Sequence, residues 1–208
     1  LTSTAHDYVR WREGETPGWT TAGPVRVCRF PVIGQRNLGH FAEVSDRAFS
    51  RRSTEAEQRE WFEENGPRVP ALVEDLREHG RDYDFVLFWA FRYYQSYFGV
   101  PVVADRAILV PTAEDDEVIR FPVLREYFQL PRGYVFLTEE ERALVASRSG
   151  SRPAPSVVVG TGLEPRRPSG AAALDGLDLP AAFLLYVGRV DVNKGCAAML
   201  GHFTRYLE

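Results

Sequence analysis

The chain has 208 residues, 44% of them hydrophobic and 12% aromatic, enough to bury a sizeable core in one domain or two. Its formal net charge of −4 argues against nucleic acid or an anionic membrane surface as the main partner. No apolar run approaches the roughly 18–20 residues of a membrane span, and the first residues lack the charged flank and apolar stretch of a signal peptide.

Cys28 and Cys196 lie far apart and near no histidine cluster, a usage that fits a reduced, cytoplasmic chain. The polar start without Met, and a stop at Leu207-Glu208 inside an amphipathic pattern, predict that both ends are cut.

Strand-like and helix-like segments then alternate. Residues 25–30 read as a strand. A helix over 54–65 opens with a capping box, Thr54 followed three residues later by Glu57. After Pro67 a second helical stretch carries Val69, Leu72, Val73 and Leu76 on one face, and Gly80 is read as its stop. Residues 85–89, Phe-Val-Leu-Phe-Trp, form a continuous apolar run of the kind expected for a strand covered on both faces. A short aromatic helix over 92–98 precedes a strand at 107–110. A helix over 117–130 is expected to break or kink near Pro122. A strand at 134–137 leads to a helix ending near 148, with Thr138 and Glu141 as a second capping box. A strand at 156–159 runs into Gly160-Thr161-Gly162. Such alternation predicts an α/β fold with a parallel, doubly wound sheet.

From about 164 to 180 the composition shifts to Pro, Gly and Ala, which reads as a linker. Residues 183–187 are expected to start a new buried strand, and a helix carrying Met199, Leu200, Phe203 and Leu207 follows Gly195. The boundaries drawn are 1–165 for a first Rossmann-like domain, 166–180 for the linker and 181–208 for the start of a second.

The segment from Tyr186 to Gly195 carries the clearest chemistry. It combines an apolar strand, a loop with Arg189 and Lys194 five apart, and a helix start. Ligands of open α/β sheets bind at the carboxyl ends of strands, and a helix N-terminus there offers backbone donors and partial positive charge to a phosphate. Gly188 allows close approach, Arg189 can grip a phosphate through its forked donors, and Lys194 adds a point charge. Lys194 is also the one lysine among 25 basic residues, and Lys and Arg are not equivalent ligands. These residues describe a diphosphate site that requires no metal.

Gly188-Arg189, four residues, then Lys194-Gly195 after an apolar strand resembles the donor motif of the retaining glycosyltransferases of family 4, the "group 1" transferases. Upstream, Asp7-Tyr8 and Trp11, the stretch from Gly23 to Pro31, the run from Tyr83 to Phe88, the turn from Pro111 to Asp115, the stretch from Phe136 to Arg142 and the turn from Val157 to Leu163 resemble that family in the same order. The resemblance covers nearly the whole chain and implies a GT-B architecture: an acceptor-side Rossmann-like domain, then the beginning of a sugar-nucleotide-binding domain. It implies transfer of a sugar from a UDP- or GDP-sugar to the hydroxyl of a glycan or lipid-linked acceptor with retention, in polysaccharide or glycolipid synthesis. Arg189 and Lys194 would neutralise the leaving diphosphate, and no further cofactor is expected. The usual setting of the family adds loose association with the inner face of the cell membrane.

The chain departs from the family at Glu114-Asp115, where a His often precedes the Asp; a carboxylate there repels phosphate and alters contacts to the transferred sugar. The Gly-rich first loop and the paired-glutamate segment are missing, so this piece alone is expected to be inactive. Glu114 and Asp115 are the candidate catalytic pair. A metal cluster over 114–117 competes with a solvated helix N-terminus, which favours acids in any case. Asp82-Tyr83-Asp84 has the D-x-D pattern of metal-dependent transferases but precedes its strand, and so reads as a turn. Two rival functions are an inactive glycan- or partner-binding relative and an NAD(P)-dependent oxidoreductase; no G-x-G-x-x-G follows a strand here.

Overall fold

In the computed structural model, which describes residues 1–150, 154–162, 179–180, 182–188, 190 and 194–207, the chain divides into two units, Leu1–Leu163 and Glu164–Glu208. The first unit opens with a small mixed sheet in the order β1-β3-β2, built from β1 (Thr2–Ser3), β2 (Gly18–Ala22) and β3 (Val25–Phe30). Ala22 pairs with Val25 across the Gly23-Pro24 turn, making β2 and β3 an antiparallel hairpin. The strand expected at 25–30 is therefore present, but outside the parallel sheet. Gly23, at φ 59°, supplies the left-handed conformation the turn needs.

Three labelled elements escaped the sequence pattern: β1, β2 and α1 (Leu38–Ala48). Asn37 caps α1 by accepting from the Gly39 and His40 amides, and Phe41, Val44 and Ala48 recur at helical spacing. Helix α2 (Glu55–Asn65) has the capping box that Thr54 and Glu57 predicted. Helix α3 (Pro70–His79) buries Leu72, Val73 and Leu76. Gly80 is not a left-handed stop, since its φ is −58°. The chain continues into a 3-10 turn, Gly80–Asp82, and a Cβ at Gly80 would lie 2.5 Å from Val103 Cγ1. Close packing explains that glycine.

The main sheet is all parallel, in the order β4-β5-β6-β7, with β4 (Val86–Trp89), β5 (Ala107–Val110), β6 (Gly133–Phe136) and β7 (Ser156–Val158). Helix α4 (Tyr94–Gly99) follows β4. The helix expected over 117–130 is split, as Pro122 demands, into a 3-10 turn (Val118–Arg120) and the single turn α5 (Leu124–Tyr127). Helix α6 (Glu139–Ser149) ends at Gly150 with φ 69°, the left-handed terminator glycine favours.

Sequential strand order with right-handed crossovers sends α4, α5 and α6 to one face of the sheet. Phe88, Leu109, Tyr134 and Phe136 of that face are buried in the continuous core with Phe62, Leu76, Leu124 and Val145. The opposite face carries Leu87 paired with Ile108, and Val135 paired with Val157. Here Leu87 is 66% exposed, Trp89 63% and Val157 49%. The apolar run at 85–89 is therefore covered on one face, not two.

In the second unit, α7 (Cys196–Leu207) follows Gly195. The buried strand expected at 183–187 is not formed: Leu184 and Leu185 are 77% and 76% exposed, and no strand is assigned there. A strand needs a ladder partner, and the described residues of this unit supply none.

Candidate functional site

The loops that leave the carboxyl ends of β4 and β5 are held in unusual conformations. Ala90, directly after β4, has φ 62°, and Thr112, two residues after β5, has φ 49°. Left-handed backbone costs a side-chain-bearing residue about 1–2 kcal/mol, and such strain concentrates where a fold positions functional groups. Surrounding bonds hold it. The Ala90 amide donates to Val110 O at 2.9 Å and the Phe91 amide to Pro111 O at 3.1 Å. Glu141, buried on α6, accepts from the Ala113 amide at 2.8 Å and the Leu137 amide at 2.7 Å. Its carboxylate thus staples the loop after β5 to the loop after β6.

That contact corrects one expectation. Thr138 accepts from the Glu141 amide at 3.1 Å, but the Glu141 side chain turns to Ala113 and Leu137 instead of closing a capping box with Thr138.

The acidic turn after β5 separates into three roles. Asp116 pairs with Arg92 at 2.7 Å and caps the following 3-10 turn by accepting from the Val118 and Ile119 amides. This is the helix-start role that competed with metal binding. Asp115 is exposed and pairs with Arg120 at 3.1 Å and Arg148 at 3.3 Å; the Arg120 hydrogen bond, before any other cause, holds its carboxyl below the usual range. Glu114 is exposed, and its side chain has no partner among the described residues. Of the two acids proposed from sequence, Glu114 is the one whose side chain has no partner among the described residues. Among the described residues no group of three or more His, Cys, Asp or Glu could hold a metal ion. Asp82 and Asp84 flank the entry to β4, at the opposite end of the strand from these loops.

A second cluster, not seen in the sequence, adjoins the loop after β4. Trp11, left-handed at φ 57°, packs edge-on against Tyr93 at 5.9 Å and donates its indole N–H to Asn65 O at 2.6 Å. Arg36 lies over the Trp11 ring at 4.9 Å and donates to both Asn65 O and Asn65 Oδ1. Asn65 in turn donates to Arg92 O at 2.8 Å. Arg36 forms no ion pair among the described residues, and burial, the largest cause, pulls its guanidinium below the ordinary arginine value. The sequence signal was slight: an Asn-Arg pair and one arginine after an apolar run, at positions no short motif connects.

In the second unit, Gly188 packs so closely on Tyr186 that an added Cβ would lie 2.8 Å from the phenol oxygen. Gly195 is left-handed, at φ 66°, and its carbonyl accepts the Met199 amide at 2.9 Å, opening α7. Lys194 is exposed immediately before it. Arg189 lies outside the described residues.

The fold and these loops define an α/β protein with a parallel, Rossmann-like sheet whose polar and strained residues collect at the carboxyl ends of its strands. No family model, curated protein or solved structure matches the chain. No helix among the described residues is long and apolar enough to cross a membrane.

Proposed function

We propose that this chain is part of a retaining GT-B glycosyltransferase that moves a sugar from a UDP- or GDP-sugar to a glycan or lipid-linked hydroxyl. In this reading Leu1–Leu163 belongs to the acceptor-side domain and Glu164–Glu208 begins the donor-side domain. The observation that carries it is the entry to α7. A Cβ at Gly188 would lie 2.8 Å from the Tyr186 phenol oxygen, and Lys194 stands exposed at the left-handed Gly195 that opens the helix. A cation at a helix start suits a diphosphate leaving group, whose growing charge fixed positive groups stabilise. Arg189 is assigned the second cation from its place in the motif. Glu114, unpartnered on the loop after β5, is the acid assigned to the transferred sugar, while Asp115 is occupied by two arginines.

Titration calorimetry of the full-length protein with UDP, GDP and NAD tests the proposal. UDP or GDP binds, NAD does not, and Arg189→Ala and Lys194→Ala each weaken binding about tenfold to a hundredfold, the worth of a charge-assisted bond. Unchanged affinity in both variants refutes the diphosphate site. A second reading, an inactive glycan- or partner-binding relative, is favoured by the double pairing of Asp115; it predicts nucleotide binding with no sugar transfer.

A further inference from the structure

We propose that the groove lined by α2, α3, α4 and α5 is a binding site for a neutral saccharide. Its volume is about 810 Å³, within the roughly 300–1,000 Å³ of small-molecule sites. The groove shares no residue with the 186–195 segment, so failure of nucleotide binding leaves it untouched.

Its floor is aromatic and rigid. Tyr97 lies flat against the buried Phe62, with centroids 3.8 Å apart and planes 2° off parallel, and stacks on Tyr127 at 5.5 Å. Phe98 is held against Tyr94 at 4.6 Å, with the Arg59 guanidinium 4.9 Å over its ring. The Tyr127 hydroxyl is used internally, donating to Ser96 O. The hydroxyls of Tyr94 and Tyr97, both groove-lining, have no hydrogen-bond partner among the described residues. Each can donate and accept, which is the pairing a sugar hydroxyl requires.

The rim sorts the ligand classes. Arg77 and Glu74 pair with each other, leaving Arg59 and Arg125 against Glu55, Glu63 and Glu126. None of these five is in an ion pair among the described residues. Three carboxylates against two guanidiniums repel an anionic ligand such as phosphate, and a rim this charged disfavours an apolar tail. A polyhydroxylated neutral molecule uses the donors and the acceptors together, while its C–H groups meet Tyr94 and the ring edges of Tyr97 and Phe98.

The test titrates the 208-residue chain with maltotetraose, cellotetraose and mannotetraose, following amide and side-chain NMR shifts. At least one binds, with a Kd of about 1 mM, and the shifts centre on Tyr94, Tyr97 and Arg59. Tyr94→Phe with Tyr97→Phe keeps both rings and the fold, checked by circular dichroism, and weakens binding about tenfold. Three outcomes overturn the site: no shift with any of the three sugars, wild-type affinity in the double variant, or groove shifts produced by inorganic phosphate or an uncharged tetrapeptide but by no sugar.

Discussion

Glu141 has 6% of its surface exposed, yet both of its oxygens accept backbone amides from loops that belong to different strands. The sequence shows it as one of three consecutive glutamates at a helix start, with nothing to set it apart from its neighbours. Only the fold reveals that Ala113 and Leu137 depend on it. A buried amide left without an acceptor costs about 1–3 kcal/mol. Glu141→Ala orphans two and is expected to lower stability by about 2–4 kcal/mol in urea unfolding, with Glu141→Gln recovering part of the loss. A drop below about 0.5 kcal/mol, the level of an ordinary surface change, shows that the loops hold without the staple.

Asp115 illustrates the opposite case. Its place beside Glu114 was legible, but its engagement by Arg120 and Arg148 was not, because those partners come from five and 33 positions away. The Arg36, Asn65 and Arg92 cluster was invisible for the same reason.

Among the elements, the ones whose determinants are local were readable. Thr54 and Glu57 form a reciprocal box: the Thr54 amide donates to Glu57 Oε2 at 2.7 Å and the Glu57 amide to Thr54 Oγ1 at 3.3 Å. Thr54→Ala should therefore lower the unfolding free energy by about 1 kcal/mol, seen as a lower urea midpoint with unchanged slope. An unaltered midpoint means that α2 is held by tertiary packing alone. Gly99 closes α4 for a different reason: a Cβ there would come within 2.7 Å of Phe88 Cε1. No local pattern announces that contact, since it exists only once α4 lies on β4. The failed strand at 183–187 belongs here too, because an apolar run of strand length specifies pairing only where a partner is present.

Across the whole molecule, four tyrosines of the first unit, Tyr94, Tyr97, Tyr127 and Tyr134, have phenols pushed above the ordinary value of 10.0, with burial the largest cause in each. A raised folded-state pKa contributes stability that is fully present below pH 10 and is lost as pH rises through the folded values. Ultraviolet titration should show Tyr127 and Tyr134 ionising only together with loss of the far-ultraviolet helix signal. All nine tyrosines ionising in one transition near pH 10, with the fold intact, contradicts their burial. The same scale exposes the uneven cover of the parallel sheet. Its helical face is sealed by Phe62, Leu124 and Phe128, while Leu87 and Trp89 stand open on the other.

The alternation of helices and strands from α2 to β7, the split at Pro122, the capped start of α2 and the positions of Glu114, Lys194 and Gly195 were determined by the sequence alone, because each rests on periodicity, backbone chemistry or spacing over a few residues. The separate hairpin sheet, the single covered face, the Glu141 staple and the aromatic groove were decided only by tertiary structure. These depend on which distant side chains meet, and contact across tens of residues leaves no local trace in the order of the amino acids.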